Sequence, residues 1–153
     1  MQRLSPKRPG CVEQPGRFVY GAAMTSTAPT STRFLVRKDK LETTELNSAP
    51  QRALAPGEVR LTVDAFALTS NNITYAAFGE AMQYWGFYPA PEVGDGGWGC
   101  IPVWGFATVR ESLCDGIAGG EKVYGYYAMA SRVVLPPVRV NASGFSEGAK
   151  HRR

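Results

Sequence analysis

The clearest pattern of hydrophobic and polar positions lies in residues 57–79, which read GEVRLTVDAFALTSNNITYAAFG. Apolar residues alternate with polar ones over residues 59–65, which is the period-2 pattern of a strand with one buried face. The alternation ends in four small polar residues that favour a turn: Thr69, Ser70, Asn71 and Asn72. A strand that delivers a polar turn to the edge of a β scaffold is typical of a substrate site.

Four further segments have the composition of short strands, and turn-forming residues separate them. They cover residues 33–37, 103–110, 121–127 and 132–135. The chain also holds 17 Gly and 11 Pro in 153 residues, which argues against a helical bundle. We therefore predict a mainly β fold, a partly open barrel of short strands with few short helices.

The two ends of the chain lack this pattern. Residues 1–32 are rich in Pro, Ser, Thr and Arg without apolar periodicity, which predicts a disordered leader. The same composition also fits an organellar transit peptide, and a third alternative is that translation starts at Met24. We assign residues 33–150 to one domain, with a polar link after the first strand. The unpatterned residues from 141 onward predict a disordered tail.

An aromatic cluster follows the polar turn, in the segment AMQYWGFYP at 81–89. Glycine and proline interrupt it, so a long helix is excluded. One interpretation is core packing beneath a loop. The other is the apolar wall of a substrate pocket, with Tyr84 and Trp85 as substrate-binding residues.

The segment GDGGWG at 94–99 matches the GxGxxG pattern, and Asp115 follows about twenty residues later. Dinucleotide binding needs a strand before the glycines and the N-terminus of a helix after them. Here a proline-containing loop precedes the motif and Cys100-Ile101-Pro102 follows it. We interpret the motif as a flexible loop that binds no cofactor.

Charge and cysteine content restrict the class of partner and the compartment. Residues 1–40 hold eight Lys or Arg and two acids, whereas residues 41–149 hold six Lys or Arg and eleven acids. The predicted domain is thus mildly acidic, which argues against nucleic-acid binding. Three cysteines without CxxC spacing fit a reducing compartment, and we expect the cytoplasm. The sequence has no apolar run of membrane-spanning length and no apolar core of a signal peptide, so we expect neither membrane insertion nor secretion.

Several segments resemble one known superfamily. PGEVRLTVDAFALTSNN resembles the strand that opens the GroES-like domain of medium-chain dehydrogenase/reductases. VWGFATV and GIAGGEKVYGYY resemble two later strands of that domain, in the same order. YWGFYPAP and WGCIPVWGFA are similar to an uncharacterised bacterial branch, known as a domain of unknown function. The likeness covers only the N-terminal GroES-like half, and the Rossmann half has no counterpart here.

The departures from this pattern concern zinc. Zinc-dependent members have a cysteine ligand where this chain has Thr69, and their Gly-His-Glu motif corresponds to Gly105-Phe106-Ala107. A catalytic Zn²⁺ needs about three ligands that supply S, N or O atoms. We therefore expect no zinc, and the resemblance implies a zinc-independent, quinone-oxidoreductase-like protein.

The resemblance also implies where the site lies. The four turn residues from Thr69 onward would face the cleft between the two halves, with Tyr75 nearby. The amides of Asn71 and Asn72 would stabilise charge on a substrate carbonyl, and Tyr75 or Tyr84 would supply a proton. Turn formation is the equal alternative for both asparagines. The sequon at Asn72 is expected to be idle without secretion.

Two functions follow as hypotheses. The chain is the substrate-side half of a zinc-independent NAD(P)H-dependent oxidoreductase, inert alone because hydride transfer needs a bound cofactor. Its partner would be a missing or separate Rossmann domain that binds NADPH. The alternative is a stand-alone GroES-like β module that binds a protein or small molecule. In either case the substrate stays unidentified. An exposed apolar side predicts self-association, with contributions from residues 84, 85, 87, 88, 124, 126 and 127.

Overall fold

The computed structural model describes residues 1–4, 29–90, 93–94 and 96–149. These residues form one α-helix, α1 (Ser70–Ala77), and one 3₁₀ turn (Tyr84–Gly86). The strands are β1 (Gln2–Leu4), β2 (Thr30–Arg37), β3 (Thr44–Pro50), β4 (Val59–Phe66), β5 (Trp98–Gly99), β6 (Pro102–Ser112), β7 (Lys122–Ala128), β8 (Arg132–Leu135), β9 (Pro137–Asn141) and β10 (Gly144–Glu147). The predicted mainly β fold with few short helices is confirmed. No described helix is long and apolar enough to cross a membrane.

Seven strands form one antiparallel sheet in the order β8-β4-β6-β7-β1-β10-β9, and the other three form a small sheet in the order β3-β2-β5. The pairing of β4 with β6 shifts register twice, between Arg60 and Leu61 and between Val63 and Ala65. Such bulges bend a sheet and increase its twist. The large sheet accordingly curls into a half-barrel, as the predicted partly open barrel requires. A backbone hydrogen bond from Phe34 N to Met129 O, 2.9 Å long, joins the two sheets.

The core lies on one face of the large sheet and follows the alternation in the sequence. Val59 and Leu61 of β4 are fully buried, as are Val109 of β6 and Val123 of β7. Burying each such side chain stabilises the fold by roughly 1.5–3 kcal/mol. Their neighbours along the strands point to the opposite face, because side chains alternate in a strand. That opposite face carries the candidate sites described below.

Trp85 fills the space between the 3₁₀ turn and the small sheet. Its side chain is only 6% exposed. The indole lies directly against two glycines, and a Cβ atom at either Gly79 or Gly99 would overlap its ring. Glycine at these two positions is therefore what lets a tryptophan fit there.

The N-terminal boundary differs from the prediction. β1 lies between β7 and β10, and the Met1 ammonium group donates to Phe145 O at 2.9 Å. Arg3 also pairs with Glu121 at 2.9 Å. Most of the predicted disordered leader, with the transit-peptide and Met24 alternatives, falls on residues 5–28, outside the described residues. Residues 30–32 belong to β2, so the first long strand starts earlier than predicted.

Besides β1, four strands lie where no strand was predicted, and β5 is the one in the glycine-rich segment that was interpreted as a flexible loop. β3 occupies the predicted polar link, and β9 and β10 form a hairpin that extends into the predicted tail. The Asn141 side chain accepts hydrogen bonds from Ser143 N at 2.8 Å and Gly144 N at 3.2 Å, which stabilises this turn. The predicted disordered tail from residue 141 is thus corrected as far as Glu147. Residues 150–153 lie outside the described residues.

Candidate functional site

The polar turn after β4 becomes the start of helix α1. Thr69 is the N-cap residue, and Asn72 lies in the first turn with 4% of its surface exposed. Asn72 Oδ1 accepts from Thr69 N at 2.7 Å, and Asn72 Nδ2 donates to Pro102 O at 3.0 Å. These bonds cap the helix and fix it to β6. The geometry therefore favours the turn-forming alternative for Asn72.

The other polar residues of this turn are open to solvent. Thr69, Ser70 and Asn71 are all exposed. The Thr69 hydroxyl reaches Asn72 Oδ1 at 3.3 Å, whereas Asn71 makes no side-chain hydrogen bond to another described residue. Asn71 is thus the predicted catalytic amide that remains available to a ligand.

A continuous set of aromatic rings, here called the aromatic face, runs from the outer surface of the large sheet to α1 and the 3₁₀ turn. On the sheet, Trp104 stands opposite Tyr126, and Phe106 stands opposite Tyr124. Such cross-strand ring pairs stabilise a sheet beyond their buried area. The full set is Tyr75, Tyr84, Phe87, Trp104, Phe106, Tyr124 and Tyr126, with ring centroids 4.9–6.0 Å apart from one neighbour to the next.

The aromatic face is not closed over by the rest of the described chain. Trp104 is 47% exposed and Phe106 is 43% exposed. Ile73 of α1, at 68% exposed, adds to the apolar surface of the helix. Large exposed apolar surfaces usually mark binding or association sites.

Tyr126 sits at the centre of this set. The pKa of its phenol is raised above the usual 10.0, first because of burial and then because of the neighbouring Tyr75, Tyr84 and Tyr88. Tyr75 also forms a side-chain hydrogen bond with Tyr126. Tyr126 therefore remains a protonated hydrogen-bond donor well above neutral pH.

This raised pKa predicts an alkaline effect on stability. Above about pH 10 the unfolded chain loses the Tyr126 proton while the folded chain keeps it, so the free energy of unfolding falls as pH rises. Tyr126→Phe should remove part of that fall. Urea unfolding of both proteins from neutral pH to about pH 11 measures it. The difference between them should be constant below about pH 9 and change above it. Parallel curves over the whole range would contradict the assignment.

The two tyrosines predicted as proton donors meet in the structure. The ring centroids of Tyr75 and Tyr84 are 4.9 Å apart, and Tyr75 lies 5.9 Å from Tyr126. Trp85 does not join them, because its indole is buried in the core. Its placement favours core packing over a substrate-binding role for this residue.

The sequence-based search missed Trp104 and Phe106. Their signal was present, because β6 reads Trp-Gly-Phe at 104–106 and β7 reads Tyr-Gly-Tyr at 124–126. Aromatic residues at alternate positions of paired strands lie on one face. Of the predicted contributors to the apolar side, Trp85, Tyr88 and Tyr127 are buried instead.

The glycine motif leads into strands. Gly94 and Gly96 have positive φ values of 80° and 69°. Trp98 and Gly99 form β5, which pairs with β2, and β6 follows where a dinucleotide site needs a helix. The motif therefore lacks the helix N-terminus that would hold a pyrophosphate. Asp115 is exposed in the turn after β6. The residues at this motif do not fit a nicotinamide dinucleotide.

Three positions correspond to the zinc-ligand motifs of the superfamily that the sequence resembles, and each has a different structural role here. Thr69 caps α1, Phe106 belongs to the aromatic face, and Ala107 is fully buried in the core. Across the described part of the chain, no group of three or more His, Cys, Asp or Glu side chains could hold a metal ion. The absence of zinc in the protein stays a prediction, and metal analysis of the purified chain tests it.

Comparison with known protein families identifies the family of this chain. The model of the family described as "Protein of unknown function (DUF2855)" matches residues 66–153. This stretch includes α1 and every residue of the aromatic face. The search of curated proteins found no match.

Proposed function

Since this chain belongs to the DUF2855 family of proteins of unknown function, we propose its activity from its own geometry: it is the substrate-side half of a zinc-independent NAD(P)H-dependent oxidoreductase. The observation that supports this proposal most is the aromatic face, which lies open beside the polar turn at Thr69–Asn71. Planar aromatic walls with a few polar groups are what small-molecule sites usually offer.

Each group near this surface has a separate role in the proposal. The rings of Trp104 and Tyr126 hold a planar substrate by stacking. The amide of Asn71 donates to a substrate carbonyl, where charge develops during reduction. Tyr75 and Tyr84 present hydroxyl groups on the helix side. Asn72 fixes α1 to β6 and so positions Asn71.

The cofactor belongs to a second domain in this proposal. NADPH supplies a hydride when bound, but the glycine motif here does not fit it, so no chemical step is assigned to the isolated chain. A Rossmann-type domain, as in the medium-chain dehydrogenase/reductases that the sequence resembles, would cover the aromatic face. The apolar surface would then leave water, which stabilises the complex by roughly 25 cal/mol per Å².

The lone chain should therefore self-associate through the aromatic face. Light scattering should show that Trp104→Ser reduces association. Leu46→Ser is the matched control, because Leu46 is 70% exposed on β3 in the other sheet. Equal effects of both changes would contradict self-association through the aromatic face.

The partner domain has its own test. The DNA downstream should encode a strand–GxGxxG–helix unit, and joining that unit to this chain should restore solubility and NADPH binding together. A monodisperse lone chain that binds no dye for apolar surfaces would favour the alternative, a stand-alone β module that binds a protein or small molecule. NADPH binding by the lone chain would contradict both functions.

A further inference from the structure

A second surface, away from the aromatic face, gathers arginines from three adjacent strands. Thr62 of β4 is the direct cross-strand partner of Arg132 of β8. On the other side of β4, Arg110 of β6 donates from Nε to Thr62 Oγ1 at 3.3 Å. Arg110 lies where the β4–β6 register shifts, because Arg60 pairs with Glu111 while Leu61 pairs with Val109. The bulge therefore brings Arg110 toward Thr62.

These side chains line a cleft of about 430 Å³. Its wall consists of Pro29, Arg60, Thr62, Arg110, Glu111 and Arg132. Three guanidinium groups thus face one carboxylate. Like charges held this close repel each other unless something compensates them.

The carboxylate in the cleft is already engaged by one of the arginines. Arg60 is 4% exposed, and its Nε donates to Glu111 at 3.0 Å. Its other two nitrogens donate to Gln51 Oε1 at 2.7 Å and to Arg52 O at 2.9 Å. Each guanidinium nitrogen of Arg60 thus makes one hydrogen bond, and the ion pair with Glu111 neutralises its charge.

Arg110 and Arg132 have no such compensation. Within the described ranges, no carboxylate lies at ion-pair distance from either guanidinium. Arg132 uses Nη1 to bind Thr30 O at 2.6 Å, which fixes its side chain and leaves its other donors without a partner among the described residues. Arg110 is exposed, and its only hydrogen bond to another described residue is the long one to Thr62. The cleft thus carries two uncompensated positive charges.

We propose that this cleft binds the oxyanion group, phosphate or carboxylate, of a small molecule. A guanidinium presents a planar fork of donors that matches either group with two parallel hydrogen bonds. Arg110 and Arg132 approach from opposite sides, and the Thr62 hydroxyl between them adds a third donor.

A small ligand fits this surface better than a nucleic acid. The chain from residue 41 to 149 has an excess of acids, which repels an extended polyanion. The uncompensated charges of Arg110 and Arg132 lie together in one cleft. A single anionic group satisfies them locally.

Titration calorimetry of the full chain at low salt tests the proposal, with inorganic phosphate and citrate as separate probes. At least one should bind saturably at one site, and affinity should fall as salt is added. Stronger binding of phosphate would indicate a phosphorylated ligand, and stronger binding of citrate would indicate a carboxylate. Arg110→Gln and Arg132→Gln should each weaken binding about ten- to a hundredfold, because each removes a charge-assisted pair. Arg139→Gln, which removes an exposed arginine of β9, is the control and should change little.

Three results would overturn the proposal. They are no saturable binding of either probe, equal losses in Arg139→Gln, or binding of single-stranded DNA without binding of either small anion. If Arg132→Gln lowers the stability of the fold, the loss of binding in Arg110→Gln decides the question. Arg110 is exposed, so its substitution should leave the fold intact. Neither variant touches the aromatic face, so failure here is distinct from failure of the proposed oxidoreductase function.

Discussion

Trp85→Ala should lower the free energy of unfolding by about 3–5 kcal/mol, the usual cost of removing a buried aromatic side chain. The loss should fall at the high end because the cavity cannot collapse easily. Gly79 and Gly99 lie against the indole and have no side chains that could move into the space. Urea unfolding measures the effect.

Trp104→Ala is the matched control for this change. Its ring is 47% exposed and contacts only Tyr124 and Tyr126 among the described rings. We expect a loss of about 1–3 kcal/mol, since the ring makes two such pairs and each is worth roughly 0.5–1.5 kcal/mol. Equal losses in the two variants would contradict the division between a core tryptophan and a surface tryptophan.

A chain that begins at Met24 should be less stable than the full chain by about 3 kcal/mol or more. It lacks β1, which lies between β7 and the β9–β10 hairpin in the sheet. The hydrogen bonds lost toward β10 run from Met1 N to Phe145 O, from Phe145 N to Met1 O and from Arg3 N to Ser143 O, and the antiparallel pairing with β7 is lost as well. Each of these hydrogen bonds contributes about 1 kcal/mol net.

Hydrogen exchange shows which strands are destabilised in the chain that begins at Met24. Amides of β10 should lose protection first, whereas those of β4 and β6 should keep most of theirs. Arg3→Gln is the control, because it keeps the backbone of β1 and removes only side-chain contacts of Arg3. These are the ion pair with Glu121, worth about 1 kcal/mol or less, and the hydrogen bond from the guanidinium to Gly116 O. Unchanged protection in β10 of the shortened chain would show that β1 does not hold the hairpin.

The sequence predicted the strands in which alternating apolar residues form the buried face. In β4 and β6, alternation marks the buried face directly, and both lie within two residues of the predicted bounds. β1 and β3 carry no such signal. Gln2–Leu4 is short and polar, and β3 is an edge strand with Leu46 facing solvent. β1 pairs with the distant strands β7 and β10, and β3 pairs with the preceding strand β2, so pairing rather than local pattern determines both.

The candidate site was predictable to a similar extent. The polar residues identified where β4 ends, but they predicted a turn where the structure has the start of α1. The same small polar residues favour both turns and helix starts. The pattern could not separate Asn71 from Asn72. One faces solvent and the other caps the helix, and a difference of one position around a helix decides between them. The cleft at Arg110 was also not predictable from the sequence, because a bulge in the strand pairing brings that residue toward Thr62.

The three tryptophans give this protein built-in optical probes. Trp85 is shielded from water, Trp104 is half exposed beside two tyrosines, and Trp98 lies under the Arg37 guanidinium at 5.6 Å. Their fluorescence should respond to different events. Acrylamide should quench Trp104 first, and any molecule that covers the aromatic face should protect it from quenching. Emission from Trp85 should shift to longer wavelength only when the domain unfolds. Single-tryptophan versions can thus follow binding and unfolding separately.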